Sequence, residues 1–232
     1  MIYLQIDNIT LEVQNYNKDF ILLKSEDSTN LPLLAKAIYD AKLLFIQEVI
    51  ATEIEILLQL NDNYKEGMES QLTQLNYTDY QKSRNINLPI YFYDHVDWKY
   101  VLNYTGLSKA EYISQIIACK LKVGMYGFMP GFIYLSGLPS HLQVPRKESP
   151  VSQLAKNSFA VGGPYLGIYS LPSPGGWHVL GELLIPIINI SGMPPLKLDV
   201  GDTVSIKSID DNESELLRHQ NITLEQYNGW QV

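Results

Sequence analysis

A segment from Gly127 to Trp177 constrains the fold of this chain more than any other, because it gathers glycine, proline and aromatic residues into three short clusters. The clusters are GFMPGFIYL at 127–135, the Pro145-Arg146 pair, and SPGGW at 173–177. Glycine permits a positive φ angle and a close backbone approach, whereas proline fixes φ and lacks an N–H donor, so such mixtures form shaped loops. We expect these loops to hold aromatic rings around a binding cleft, namely Phe128, Phe132, Tyr134 and Trp177.

The charge balance limits the classes of partner. The 232 residues include 17 Lys and Arg against 25 Asp and Glu, which gives a formal net charge of -8 at pH 7. Binding to nucleic acid needs clustered cations that neutralise phosphates, and binding to an anionic membrane surface needs a basic face. The sequence has neither pattern, so we expect no nucleic-acid partner and no membrane partner.

Cysteine content and the N-terminal residues indicate a cellular compartment. The one cysteine, Cys119, excludes an intramolecular disulfide and a cysteine-rich zinc site. The first residues, MIYLQIDNITLEV, lack the basic and apolar regions of a signal peptide, and no stretch reaches about 18 consecutive apolar residues. We therefore expect a cytoplasmic protein.

The first third of the chain mixes strand and helix patterns. Alternating or continuous apolar runs predict strands, and apolar residues at helical spacing predict helices. The predicted strands are 2–6, 9–13, 45–51 and 53–60, and the predicted helices are 33–44, capped by Ser28 or Thr29, and a weaker one at 64–75. This pattern predicts a small α+β domain over residues 1–80, followed by a polar linker within 76–87.

The remainder, residues 81–232, is predicted to be a second domain with mainly β structure. A strand at 88–94 is followed by helices at 97–104 and 108–119, the second with a capping box of Ser108 and Glu111. Short apolar runs separated by Gly, Pro, Ser and Asn then predict a barrel or sandwich over 122–206. A last short helix is predicted at 214–219 and a strand or tail at 220–232.

Arg146 and Trp177 are the strongest candidates for ligand contact. A guanidinium beside a proline suits a carboxylate or phosphate, although a surface arginine is an equally good interpretation. Trp177 after two glycines could face a ligand, but an aromatic residue buried in the core is the more common outcome, and the same holds for Tyr134. The full set of groove candidates from these loops is Phe128, Pro130, Gly131, Phe132, Tyr134, Arg146, Gly175, Gly176 and Trp177.

Several kinds of catalytic site have no sequence support. The four histidines, at 95, 141, 178 and 219, include no pair at the spacing of a helical metal site, so no metal is expected. Neither a phosphate-binding glycine loop nor a GxSxG nucleophile motif occurs. No catalytic residue is assigned from the sequence.

The segments GFMPGFIYLSGLP, QVPR, FAVGG, LGIY and SPGGW together resemble the carboxyltransferase domain, subdomain C and D, family. This family contains the B-type subunit of the prokaryotic 5-oxoprolinase, subunit 1 of allophanate hydrolase and the sporulation kinase inhibitor KipI. The resemblance implies a cyclophilin-like β-barrel for the second domain. It also implies one component of an ATP-dependent amide hydrolase that converts 5-oxoproline to glutamate together with a C-type companion subunit, and an A-type companion is a further candidate partner.

The chain departs from the family pattern at polar positions while it keeps the glycine and proline framework. Asp97 matches an aspartate of the family and is therefore a tenth groove candidate, but the residues at the other positions are Ile116, Val151, Tyr165, Leu166 and Glu182. A remodelled or lost active site fits these departures. The alternative function is a non-catalytic binding protein similar to KipI, with a histidine kinase as its partner; prolyl isomerisation rests on fold analogy alone.

Overall fold

The structure, a computed structural model, describes residues 2–27, 30–77, 83–189 and 195–229. It divides into two compact units, Met1–Ser83 and Arg84–Val232. The predicted cap at Ser28 or Thr29 lies outside the described residues. No helix in the described ranges is long and apolar enough to cross a membrane.

The first unit is an antiparallel sheet with a helix. Its strands are β1 (Ile2–Ile6), β2 (Ile9–Asn17), β3 (Phe20–Lys24), β4 (Ile46–Ala51) and β5 (Glu55–Leu60), in the spatial order β1-β2-β3-β5-β4. Burial alternates along β5, where Ile56, Leu58 and Leu60 are buried, because successive side chains of a strand point to opposite faces. The helix α1 (Leu31–Ala41) packs on β4 and β5. The predicted hairpin and helix are thus present.

Two elements of the first unit differ from the predictions. The strand β3 was not predicted, although its sequence FILLK is apolar and pairs with both β2 and β5. The helix predicted at 64–75 is replaced by a shorter 3-10 helix, Met68–Gln74. It begins only after Gly67, which has a φ of 91°, a conformation that ends regular helical geometry.

The second unit is a closed seven-stranded barrel, which confirms the predicted fold class. Its strands are β6 (Asn85–Tyr91), β7 (Leu121–Tyr126), β8 (Ile133–Ser136), β10 (Ser158–Gly162), β11 (Tyr165–Ile168), β13 (His178–Leu183) and β14 (Thr203–Ser208), in the spatial order β10-β11-β8-β7-β14-β6-β13. β14 runs parallel to β6 and antiparallel to β7. The barrel interior is filled by aliphatic and aromatic side chains of the strands, including Leu88, Ile133, Phe159 and Ile168.

Helices close the barrel unit. The described α-helices are α2 (Asp97–Thr105), α3 (Lys109–Ala118), α4 (Asp211–His219) and α5 (Leu224–Tyr227), and Ser140–Leu142 forms a 3-10 helix. The predicted capping box of α3 is present, since the Ser108 hydroxyl accepts from the Glu111 N–H and the Glu111 carboxylate accepts from the Ser108 N–H. The strand or tail predicted at 220–232 is wrong over Leu224–Tyr227, where Thr223 and Gln226 form a second capping box.

A separate two-stranded sheet orders the third sequence cluster. It pairs β9 (Val151–Leu154) with β12 (Ser173–Gly175), so the SPGGW segment runs from a strand edge directly into β13. The same segment is joined to the Pro145-Arg146 loop, because the Lys147 N–H donates to the Gly176 carbonyl over 2.7 Å. The sequence clusters are therefore brought together by backbone pairing.

Candidate functional site

Aromatic rings from separate strands and loops form one cluster on the barrel unit. This aromatic cluster consists of Phe128, Phe132, Tyr134, Tyr165, Tyr169 and Trp177. Phe132 lies at its centre, with ring centroids 5.6 Å from Phe128, 5.0 Å from Tyr169 and 5.5 Å from Trp177, all edge to face. Such contacts contribute about 0.5–1.5 kcal/mol each beyond the burial of area. Phe132 and Trp177 are almost fully buried, whereas Phe128 is exposed. The first two rings therefore form the buried base of the aromatic cluster.

The Trp177 ring packs against two strands at positions occupied by glycine, where a Cβ would collide with it. A Cβ added to Gly162 would lie 2.5 Å from atoms of the Trp177 ring, and one added to Gly167 would lie 2.6 Å from it. Gly162 ends β10 and Gly167 lies in β11, which pairs with β10. The glycines of the FAVGG and LGIY segments therefore make the flat surface against which the indole packs.

The GFMPGF loop contains a tight turn at Pro130 and Gly131. The Phe132 N–H donates to the Met129 carbonyl over 3.1 Å, with Pro130 and then Gly131 at the central positions and a φ of 77° at Gly131. Proline followed by a residue with positive φ is the pattern of a type II turn. The Ser170 hydroxyl donates to the Pro130 carbonyl over 2.5 Å and so fixes this turn to the segment that follows β11.

The two glycines before Trp177 have different roles. A Cβ on Gly175 would lie 2.5 Å from the Tyr169 hydroxyl and 2.6 Å from Leu154, so this glycine makes room for protein side chains. Gly176 has only ordinary contacts, at 3.8 Å, and its carbonyl accepts from Lys147. The sequence suggested that both glycines bring the backbone close to a ligand, but in the structure Gly175 is buried by Tyr169.

Arg146 places a positive charge at the edge of the aromatic cluster. Its Cζ lies 5.7 Å from the centre of the Trp177 ring, and its side chain is exposed. Within the described ranges, no carboxylate lies at ion-pair distance from it. Burial raises the pKa of Tyr134, and the positive charge of Arg146 opposes that rise. The arrangement is an accessible guanidinium above apolar rings, which suits a small anion with an apolar part.

A second polar group lies behind Arg146. The Asp97 carboxylate, at the start of α2, accepts from the Lys147 ammonium over 2.8 Å and from the Val179 N–H over 2.8 Å. The side chains of Asp97 and Lys147 are 8% and 15% exposed, so the ion pair is nearly buried. It ties α2, the Arg146 loop and β13 together.

His178 is a buried histidine beside the Arg146 loop, and the sequence did not single it out. Its ring stacks on Tyr100 at 4.5 Å, its Nε2 lies 3.2 Å from the Pro145 carbonyl, and its buried Nδ1 has no partner among the described residues. The Nε2 contact identifies Nε2 as the protonated nitrogen, because a carbonyl only accepts. Its position directly after SPGGW was the available sequence signal.

We expect His178 to make stability depend on pH. Burial lowers its pKa from the ordinary 6.5, Lys147 lowers it further, and Asp97 and the Pro145 carbonyl oppose this. Below about pH 6.5 the unfolded chain takes up a proton that the folded chain resists, so folding is favoured less as the pH falls through this value. The free energy of unfolding, measured with urea, should therefore be lower at pH 5.5 than at pH 7.5 for the wild type. The difference between the two pH values should be smaller in His178→Gln. The control is His219→Gln, a change at an exposed histidine. An equal loss of stability in His178→Gln and in the wild type would contradict the expectation.

The departures from the family pattern occupy different environments. Ile116 and Leu166 are fully buried in the main barrel core, a different set of residues from the core group around Phe132 and Trp177. Glu182 forms an ion pair with Arg218 of α4. Tyr165 contacts Tyr134 at 5.6 Å and so extends the aromatic cluster, and Val151 is partly buried against the core group that contains Phe132 and Trp177. The departure at Ile116 therefore changes the main barrel core rather than the aromatic cluster.

Comparison with known proteins gives a consistent family. Residues 12–198 match the family described as carboxyltransferase domain, subdomain C and D. The chain is 32% identical over 125 residues to the B-type subunit of 5-oxoprolinase from Escherichia coli O157:H7, a match that covers 53% of this chain and 57% of that protein. The chain therefore spans little more than half the length of this relative.

Two solved structures share the fold. The crystal structure of TTHA0988 superposes with a TM-score of 0.74 at 26% identity, covering 86% of this chain and 41% of that one. The urea amidolyase of Kluyveromyces lactis superposes with a TM-score of 0.68 at 15% identity, covering 93% of this chain and 16% of that one. The second likeness concerns the fold alone.

Proposed function

The chain belongs to the carboxyltransferase domain, subdomain C and D, family, and on that premise we propose that it is one component of an ATP-dependent amide hydrolase that acts on 5-oxoproline. The relative named as the B-type subunit of 5-oxoprolinase supports the substrate. The observation that carries the proposal is the exposed Arg146 guanidinium above the aromatic cluster. This arrangement matches a molecule with one carboxylate and one small ring.

5-Oxoproline fits the arrangement by its chemistry. Its carboxylate can accept two parallel hydrogen bonds from Arg146, the geometry in which a guanidinium binds carboxylates best. Its five-membered ring can then lie against the aromatic cluster. The Tyr134 side chain carries a hydroxyl, which is a hydrogen-bond donor at neutral pH and can donate to the lactam carbonyl.

Among the described residues, those around Arg146 do not fit ATP. Binding of a triphosphate needs several free cations or a loop of N–H groups, and Lys147, the cation next to Arg146, is occupied by Asp97. ATP would supply the energy that opens the amide, and we assign its binding to a companion of the C or A type. The role proposed for this chain is to bind and orient the substrate.

We expect the purified chain to be inactive alone and active in a complex. The test is co-expression with the companion subunits followed by an assay of ATP-dependent conversion of 5-oxoproline to glutamate. Turnover by the isolated chain would refute the need for a partner. A complete complex without turnover would refute the substrate.

Arg146→Ala should weaken 5-oxoproline binding by roughly 1.5–3 kcal/mol, about tenfold to a hundredfold, because a charge-assisted contact is lost. Calorimetry on the complex measures this. Arg218→Ala is the matched control, since that arginine is occupied by Glu182. Equal affinities of the Arg146 variant and the wild type would remove Arg146 from the site.

A second candidate function, binding to a protein without catalysis, is favoured by one observation. Val96, Tyr100 and Tyr104 recur at every fourth position at and along α2, and they are 80%, 47% and 57% exposed. A stripe of exposed apolar residues often marks a protein interface. If this role is the main one, Tyr104→Ser should abolish capture of a histidine kinase while the Arg146 variant retains it.

A further inference from the structure

The backbone at Phe128 is strained. The Met129 N–H donates to the Gly127 carbonyl over 2.7 Å, which closes a three-residue turn with Phe128 at its centre, and the φ of Phe128 is 64°. A γ-turn with positive φ is rare, and a bulky side chain at positive φ is an outlier because its Cβ crowds the backbone. Strain of this kind persists where the surrounding structure enforces it, and it concentrates at ligand sites.

The positive φ of Phe128 is not of a kind that the residue type or a helix end explains. The other non-glycine residues described with positive φ are Asp7, Lys42 and Asn157. Asp and Asn tolerate this region, and Lys42 caps the end of α1. Glycine would relieve the strain at 128, and the loop already uses it at the neighbouring position 127. Burial does not offset the strain either, since Phe128 remains 62% exposed.

The turn directs the Phe128 ring towards the aromatic cluster. Its centroid lies 5.6 Å from Phe132 and 6.2 Å from Tyr169, edge to face in both cases. Phe132 in turn contacts Trp177, and Arg146 lies over Trp177. Phe128 and Arg146 are thus linked through two contacting rings, Phe132 and Trp177, and both residues are exposed.

We propose that Phe128 contacts the ligand directly, as the wall against which the ring of a small cyclic carboxylate packs while Arg146 holds the carboxylate. The strained turn keeps the aromatic ring exposed at that position. This inference rests on the proposed function for the role of Arg146. It adds that the site selects for a ring attached to the carboxylate.

The stability arm of the test compares three variants in thermal unfolding of the full chain. Phe128→Ala and Phe128→Gly both remove the ring, but only glycine relieves the strain. We expect Phe128→Gly to unfold about 2–4 °C above Phe128→Ala. Phe128→Tyr, which keeps both ring and strain, should unfold close to the wild type. If the glycine variant unfolds at or below the alanine variant, the turn is unstrained and the proposal fails.

The binding arm uses 5-oxoproline, cyclopentanecarboxylate and acetate as probes. We expect Phe128→Gly and Phe128→Ala to bind both cyclic carboxylates about three- to tenfold more weakly than the wild type, with acetate affected equally little in both. Phe128→Tyr should restore the affinity, which a purely structural role of the loop would not predict. Unchanged affinity in Phe128→Gly, or a wild type that binds neither cyclic probe, overturns the proposal. The Phe128 variants could bind cyclopentanecarboxylate more weakly while the complex does not turn over 5-oxoproline. In that case the proposed function fails, but the proposed contact between Phe128 and a cyclic carboxylate is supported.

Discussion

Replacing Asp97 with alanine should lower the free energy of unfolding of the barrel unit by about 3 kcal/mol or more, the scale expected when one partner of a buried ion pair is removed. The Lys147 ammonium would be left nearly buried without its carboxylate, and the Val179 N–H would lose its acceptor. Both losses add because unpaired buried groups keep the full cost of desolvation. Urea unfolding followed by circular dichroism measures the effect.

Two controls separate the ion pair from a general sensitivity of α2. Asp94→Ala removes an exposed carboxylate that pairs with Lys109, and it should leave the unfolding midpoint unchanged. The double variant Asp97→Asn with Lys147→Met should be more stable than Asp97→Asn alone, because no uncompensated charge is then buried. If Asp97→Ala behaves like Asp94→Ala, the pair does not hold the Arg146 loop in place.

Gly162→Ala should destabilise the same unit by about 1–3 kcal/mol, which is the cost of overpacking a well-filled core. The new methyl would lie 2.5 Å from several atoms of the Trp177 ring, so either the indole or the strand β10 must move. Since Arg146 lies over that indole, binding of 5-oxoproline should weaken along with stability. Thermal unfolding and calorimetry measure the two effects.

Gly176→Ala is the matched control for this change. A methyl there would meet atoms no closer than 3.8 Å, and the φ of Gly176 is not positive, so little change in stability is expected. Equal stability of the two alanine variants would show that Trp177 has room to shift. Glycine at position 162 would then not be needed for packing of the indole.

Local signals predicted a large part of the fold. The capping box at Ser108 and Glu111 identified α3, and the alternation of 2–6 with 9–13 identified the first hairpin. Short strands with frequent glycine and proline indicated a barrel or a sandwich, and the family resemblance selected the barrel that the structure has. In each case the information lies within a few residues of the element that it specifies. The strand β3 was missed because FILLK has no alternation, since residues on both of its faces are buried.

The site was harder to predict because its contacts are distant in sequence. The loops indicated that aromatic residues and Arg146 lie together, and in the structure they do. Nothing local pairs Asp97 with Lys147, 50 positions later, or with Val179, 82 positions later. The packing of Trp177 against Gly162 and Gly167 can be recognised only once β10 is known to pair with β11.

The parallel pairing of β6 with β14 has a consequence for synthesis of the chain on the ribosome. β6 is the first strand of the barrel in sequence, and its parallel partner is the last, with Asn85 opposite Thr203. Contacts between residues so far apart form slowly, because a long loop must close before they stabilise anything. Until Thr203–Ser208 emerges, the nascent barrel keeps an open edge at β6 that can pair with other chains. This edge is therefore covered only when translation has passed β14.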